Sequence, residues 1–177
     1  YAQAFTFYES SCRRDTAYLP ALLGAARTAV QTGNYSGARE LLMSPSVPKN
    51  YAVCNLLAQC SQNLGDGENA IVWWERAAAS LTLNTHSDTE KAAACFLKIA
   101  RFSLETGGCE EALEAAVKGL RLSGNPELHL IKAKVLLETG RTAQAKEDLA
   151  LVCKSKANPL LIDEALKILE CLAGEDG

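Results

Sequence analysis

The sequence lacks the long hydrophobic run that a membrane-spanning helix requires, since no stretch of about 18 consecutive residues is apolar. It also lacks a basic excess: 18 lysines and arginines face 21 aspartates and glutamates, for a net charge of −3. Proteins that bind nucleic acids normally carry a clear excess of cations. We therefore predict neither a membrane nor a nucleic acid as a partner.

Sequence signs of catalysis and of metal binding are missing as well. The two histidines, His86 and His129, have no cysteine or second histidine at the spacing of metal ligands. The sequence contains no glycine-rich phosphate loop and no serine elbow. Cys109 follows two glycines, but no neighbouring histidine and acid would activate it as a nucleophile. We therefore predict no enzymatic activity, no cofactor and no metal site.

The cysteines are odd in number and include no Cys-x-x-Cys pair, which is untypical of a disulfide framework or a zinc module. Most of them lie among apolar residues in helical patterns, where a reduced thiol acts as a small hydrophobic side chain. Reduced cysteines favour a cytoplasmic or nuclear location. The seven cysteines are Cys12, Cys54, Cys60, Cys95, Cys109, Cys153 and Cys171.

An internal repeat is marked by four glycines spaced 32, 42 and 33 residues apart. An alanine lies seven residues before each of these glycines, and another lies five residues after it. The glycines are Gly33, Gly65, Gly107 and Gly140, preceded by Ala26, Ala58, Ala100 and Ala133 and followed by Ala38, Ala70, Ala112 and Ala145.

This pattern predicts helical hairpins, because two antiparallel helices approach closely only where both present small side chains. The glycine supplies the positive φ that ends the first helix of each hairpin. The clearest copy runs from Asn55 through Gly65 to Ala77, and the next clearest from Ile99 through Gly107 to Leu113. On these residues the sequence resembles the tetratricopeptide repeat (TPR) family, whose units are helix–turn–helix hairpins of about 34 residues.

The resemblance covers nearly the whole chain and implies an all-α fold, a right-handed α-solenoid. Residues 1–14 match only the second helix of a repeat, so we expect the chain to be an excerpt of a longer protein. Asn125-Pro126 and Asn158-Pro159 predict helix starts, and Ser87 to Glu90 predicts a capping box. We predict one domain over residues 1–177: a half-repeat at 1–14, repeats at 16–47, 49–80, 88–123 and 125–156, and a capping helix at 159–173 with a frayed tail.

The first helices of such hairpins are expected to line a concave inner face. Six residues before each glycine lie Arg27, Gln59, Arg101 and Lys134, and ten before it lie Leu23, Asn55, Leu97 and Leu130. Cations beside leucines and amides suit an extended peptide with acidic and apolar side chains. The predicted partner-binding residues are Arg27, Asn55, Gln59, Gln62, Asn63, Lys98, Arg101 and Lys134.

Two other interpretations of these residues stay open. In the first interpretation, Arg101 and Lys134 form ordinary solvated pairs with Glu105 and Glu138. These glutamates lie four residues later in the same helices. One TPR subgroup clamps a C-terminal carboxylate with lysines and asparagines. Asn55 and Lys98 match that clamp, whereas Leu23, Arg27 and Ala94 depart from it, so the clamp is incomplete.

The TPR resemblance implies an interaction module, a scaffold or adaptor that holds another protein's peptide or helical segment in its groove within a larger complex. The alternative is a structural spacer or self-association segment of a long solenoid. A third possibility is an accessory domain of an enzyme whose catalytic part lies elsewhere.

Overall fold

The computed structural model describes residues 19–175, and within them the chain forms nine α-helices and no strand. The half-repeat predicted at residues 1–14 and Cys12 lie outside the described residues. The helices are α1 (Leu19–Gln31), α2 (Tyr35–Met43), α3 (Tyr51–Asn63), α4 (Gly67–Ala79), α5 (His86–Glu105), α6 (Cys109–Leu122), α7 (Pro126–Glu138), α8 (Thr142–Lys154) and α9 (Pro159–Glu175).

The chain divides into two compact units, one up to Thr82 and one from Leu83 onward. The first unit contains the hairpins α1–α2 and α3–α4, and the second contains α5–α6, α7–α8 and the single helix α9. The all-α, hairpin-repeat prediction is therefore confirmed. The extent of a single domain stays a prediction.

The four repeat glycines end the first helix of each hairpin in one common way. All four adopt positive φ, with values from 73° at Gly140 to 81° at Gly107. The amide of the residue after each glycine donates to the carbonyl five residues earlier, as from Asn34 to Ala29 at 2.8 Å and from Asp66 to Ser61 at 2.9 Å. This is the Schellman arrangement, and it confirms the predicted role of the glycines.

A threonine before the glycine strengthens three of these four ends. The hydroxyl of Thr32 donates to the carbonyls of Thr28 and Ala29 at 3.1 and 3.0 Å, and Thr106 and Thr139 bond in the same way. Each of these carbonyls also accepts a backbone amide, so the threonine hydroxyl adds a second hydrogen bond at the end of the helix. Leu64 stands at this position in the second hairpin and has no hydroxyl to offer.

The eight alanines at the matched positions are completely buried, each with 0% of its surface exposed. The two helices of a hairpin therefore approach closely where both carry alanine, as the sequence predicted. A larger side chain at any of these positions would have to push two packed helices apart.

In the first unit the two hairpins pack through Cys60, which lies in a buried cluster with Ala29 and Ala38. The loop between the hairpins begins where α2 ends at Met43, two residues before Pro45. The ammonium of Lys49 closes this loop, because it donates to the carbonyls of Leu42, Ser44 and Val47 at 2.9, 3.1 and 3.0 Å.

In the second unit the closing helix α9 covers hairpin α7–α8. Ala165 is completely buried in a cluster with Leu136 and Leu149, and Leu161, Ile168, Leu169 and Leu172 of α9 pack around it. The predicted covering of the last hairpin is therefore observed. Helix α9 runs to Glu175, two residues beyond the predicted end at 173, and the frayed tail stays a prediction.

Helix starts follow the predicted caps with one exception. The side chains of Asn125 and Asn158 accept from the amides of Glu127 and Leu160 at 2.9 and 3.1 Å, as predicted. The capping box predicted at Ser87 is wrong. Helix α5 begins two residues earlier, because extended Thr85 accepts from the Asp88 amide at 3.1 Å.

Candidate partner-binding surface

The two first helices of the first unit, α1 and α3, pack against each other and carry very little charge. Across both helices the only charged residue is Arg27, which is exposed. Neither helix contains an aspartate or a glutamate. The polar side chains that remain on the predicted surface of this unit are Arg27 and four amides.

The four amides, Asn55, Gln59, Gln62 and Asn63, all lie on α3. Asn55 and Gln59 are half-buried, whereas Gln62 and Asn63 are exposed. The amide of Asn63 donates to the Gln59 carbonyl at 2.8 Å and so helps to end the helix. Leu23, four residues before Arg27 on α1, is half-buried. The structure therefore brings five of the eight predicted residues into the first unit.

The other three predicted residues lie in the second unit, and two of them form ion pairs between helices. Arg101 on α5 pairs with Glu127 at the start of α7. Lys134 on α7 pairs with Glu164 on α9, with 2.7 Å between Nζ and Oε1. The pairing expected within one helix, to Glu105 and Glu138, is therefore replaced by pairing between helices.

The sequence does not distinguish these two kinds of pairing. A glutamate four residues later on the same helix also lies within reach of the cation. The partner glutamates belong to helices that pack alongside, and only tertiary structure brings them close. Lys98, the third residue of this group, is half-buried on α5.

A buried charged cluster that sequence reasoning missed lies between α7 and α8. Asp148 is 4% exposed, and its two carboxylate oxygens lie 2.7 Å from His129 Nδ1 and 2.8 Å from Lys132 Nζ. Its carboxylate is therefore held on both sides by nitrogen donors, which offsets the loss of water.

A signal for this cluster was present in the repeat register. His129, Lys132 and Asp148 stand at three positions where the other hairpins are apolar. The residues at the same three positions are Leu22, Ala25 and Leu41 in the first hairpin, Cys54, Leu57 and Trp73 in the second, and Phe96, Ile99 and Ala115 in the third. Three polar replacements in one hairpin indicate that they contact one another.

The six described cysteines are all free thiols, and Cys54, Cys60 and Cys95 are buried as the sequence predicted. Burial raises the pKa of the Cys60 thiol to about 11. Cys109 donates to the Glu138 carboxylate at 2.9 Å, and this bond raises the pKa of the thiol. A raised pKa makes the thiol a poorer nucleophile at neutral pH.

Residues 19–175 hold no group of three or more histidine, cysteine, aspartate or glutamate side chains placed to bind a metal ion. Over the same residues, every helix is too short or too polar to cross a bilayer.

No protein-family model matches the sequence, and no similar sequence was found among curated proteins. Several solved structures share the fold. The chain superposes on MamA with a TM-score of 0.72 at 17% identity, covering 85% of each chain. It superposes on YrrB, described as a TPR protein with an unusual peptide-binding site, with a TM-score of 0.68 at 16% identity, covering 94% of this chain and 83% of that one.

A third likeness is to the APC/C hetero-tetramer Cut9–Hcn1, with a TM-score of 0.59 at 20% identity. It covers 94% of this chain but only 39% of the other. At these identities the likenesses concern the backbone fold.

Proposed function

We propose, from the premise that this chain has the tetratricopeptide-repeat fold, that it is an interaction module that holds an extended peptide of a partner protein on α1 and α3. The fold supports a role in protein interaction in general. The peptide surface on these two helices is our more specific proposal, and it includes Arg27, Asn55, Gln59, Gln62 and Asn63.

The observation that carries the proposal is the make-up of this surface. One exposed cation and four amides lie on two packed helices that contain no carboxylate. Amide side chains offer a donor and an acceptor together, which matches the backbone of an extended peptide. Half-buried Leu23 adds apolar contact beside Arg27.

The second unit contributes less in this proposal. Arg101 and Lys134 are neutralised by Glu127 and Glu164, so an acidic partner would have to displace a glutamate that is already in place. Displacing a bonded carboxylate yields little net gain, because one ion pair replaces another. Arg101 and Lys134 are therefore secondary members of the proposed surface, together with Lys98, which is half-buried in the same unit.

The structural neighbours agree with this role. YrrB is described as having a peptide-binding site, and Cut9 is described in a complex with Hcn1. Both likenesses are at or below 20% identity, so they support the class of function and not the partner.

The proposal can be tested with a display library of twelve-residue peptides selected on the 177-residue chain. Selected peptides should bind the double variant Gln59→Ala/Gln62→Ala at least about fivefold more weakly, since each of two lost hydrogen bonds is worth about 0.5–1.5 kcal/mol and 1.4 kcal/mol is tenfold. Fluorescence anisotropy measures the affinity, and a thermal melt checks the fold.

The matched control is Gln144→Ala, which removes an exposed amide from α8, a second helix of a hairpin. It should leave peptide affinity unchanged. Selected peptides that bind the double variant as well as the unaltered chain would contradict the proposed surface.

Self-association is a second candidate, favoured by the outer side of α9. Leu160 and Leu166 are 73% and 43% exposed there, and a second copy of the chain would cover them. Sedimentation across a range of concentrations should then show a dimer that Leu160→Ser/Leu166→Ser abolishes. A monomer at every concentration would rule this candidate out.

A further inference from the structure

The three cations at the repeat position six residues before the glycine differ in what surrounds them. Arg101 and Lys134 each pair with a glutamate from the next first helix or from α9. Glu127, the partner of Arg101, stands 13 residues before Gly140. In the second unit the fold itself therefore supplies the acid for each of these two cations.

Among residues 19–175, Arg27 has no such acid. The residue 13 before Gly65, which corresponds to Glu127, is Ala52, a half-buried residue on α3. Arg27 is exposed and forms no ion pair with any residue between 19 and 175. The first unit thus repeats the arginine of the third hairpin without its glutamate.

We propose that a side-chain carboxylate of the partner peptide pairs with Arg27, in the place that Glu127 takes beside Arg101. The inference rests on the proposed function, and it names the chemistry that the surface selects. A guanidinium matches a carboxylate with two parallel hydrogen bonds, which an ammonium cannot do.

The neighbourhood of Arg27 adds a second requirement. Leu23 lies one helical turn away, about 6 Å along the axis of α1. Alternate residues of an extended peptide lie roughly 6.6 Å apart and point to the same side. The favoured peptide therefore carries an aspartate or glutamate two positions from an apolar residue, with its backbone toward the amides of α3.

The test uses the same display selection with variants at position 52. Peptides selected on the unaltered chain should share an acidic residue two positions from an apolar one. Ala52→Glu supplies the missing acid and should weaken their binding about fivefold, as Arg27→Gln should, because an exposed ion pair is worth up to about 1 kcal/mol. The matched control is Ala52→Gln, which has nearly the same size without the charge and should bind within about twofold of the unaltered chain.

A second comparison isolates the contact itself. Exchanging the acidic residue of the selected peptide for its amide should weaken binding to the unaltered chain and leave binding to Arg27→Gln unchanged. Thermal melts of all variants confirm folding, and exposed Arg27 can be altered without touching the core.

The outcomes separate the two proposals. Peptides selected without an acidic preference, or bound equally by Ala52→Glu and Ala52→Gln, overturn the inference and leave the proposed function standing. A folded chain that selects no peptide overturns both.

Discussion

At the scale of single residues, two buried serines have side chains that the fold does not use. Ser61 and Ser103 occupy the same repeat position, are 1% and 2% exposed, and have no hydrogen-bond partner for Oγ among the described residues. The first hairpin has Ala29 at this position, also buried. An alanine therefore fits this site. The serine hydroxyl only lowers stability here, because it loses its hydrogen bonds to water on burial.

We expect Ser61→Ala to raise the free energy of unfolding by about 0.5–1 kcal/mol, because it removes an unsatisfied buried hydroxyl. Urea denaturation followed by circular dichroism measures the change. The contrasting variant is Ser80→Ala, whose hydroxyl donates to the Ala77 carbonyl at 2.7 Å, and this variant should lose stability. Equal losses in both variants would show that Ser61 Oγ has a partner.

Buried thiols make a second prediction at this scale. Cys60 has its pKa raised to about 11 by burial, whereas Cys171 is exposed. At pH 8 iodoacetamide should modify Cys171 within minutes and leave Cys60 unmodified until the chain unfolds. Mass spectrometry measures both rates, in a Cys12→Ser chain so that Cys12 does not react. Modification of both at one rate in the folded chain would contradict the burial of Cys60.

The same shift has a defined effect on stability. The folded pKa of Cys60 lies above its ordinary value of 9.0, so the unfolded chain loses the thiol proton first as pH rises. The stability contributed by the buried neutral thiol is complete below pH 9 and declines between pH 9 and about 11. Cys60→Ala should reduce the pH dependence of unfolding in that range.

At the scale of helices, Gly119 permits the packing of α6 against its two neighbours. A Cβ at this position would lie 2.7 Å from Leu128 Cδ1 and 3.2 Å from Phe96 Cβ. Leu128 is completely buried and has little room to move. Gly119→Ala should therefore lower the free energy of unfolding by about 1–3 kcal/mol, although alanine is the better helix former.

Thermal denaturation tests this prediction, with Gly124→Ala as the control because a Cβ there meets nothing within 4 Å. A second variant, Gly119→Ala with Leu128→Val, should recover part of the loss by removing bulk at the contact. A stabilised Gly119→Ala would mean that helix propensity outweighs this contact.

The cluster around Asp148 joins α7 to α8, and its energetic role can be measured. Asp148→Ala leaves Lys132 and His129 without their carboxylate partner, and we expect a loss of about 1–3 kcal/mol, less than for a fully buried pair because both side chains are partly exposed. The triple variant His129→Leu/Lys132→Ala/Asp148→Leu installs the residues of the first hairpin and should regain most of that loss.

Urea denaturation of both variants gives the comparison. A triple variant that is less stable than Asp148→Ala would show that the polar cluster contributes net stability and not only specific pairing. The triple variant should fold, because the first hairpin already has apolar residues at these three positions, Leu22, Ala25 and Leu41.

At the scale of the whole molecule, the closing helix determines how much apolar surface the second unit buries. Ending the chain after Ala157 removes α9 and exposes the cluster that contains Leu136, Leu149 and Val152. Burying one such side chain is worth about 1.5–3 kcal/mol, so this truncation should cost at least a few kcal/mol. Ending the chain after Gly174 is the control and should cost almost nothing.

Calorimetry of the two truncated chains measures this difference. Equal melting temperatures would contradict the packing of α9 on α8. In helical repeats, stability depends on contacts between neighbouring units. The loss of an end helix therefore destabilises the helices next to it.

The repeat register, and with it most of the fold, was predictable from the sequence. Local backbone chemistry decides where the helices end, because a glycine with positive φ and a preceding threonine satisfy the last carbonyls in any surroundings. The alanines are just as predictable, since only small residues allow two helices so close. The start of α5 was misplaced because Thr85 and Ser87 both cap well, and the sequence does not rank them.

The sequence by itself determined the hairpins, their order and the residues that face one another within each hairpin. Only the tertiary structure decided that Arg101 and Lys134 pair with Glu127 and Glu164, since these acids lie on other helices. It also decided that Asp148 is buried between His129 and Lys132. The physical reason is the separation along the chain. Helix ends and the close contacts within a hairpin depend on residues that are near in sequence. Charge pairing between helices depends on distances that only the packing of those helices determines.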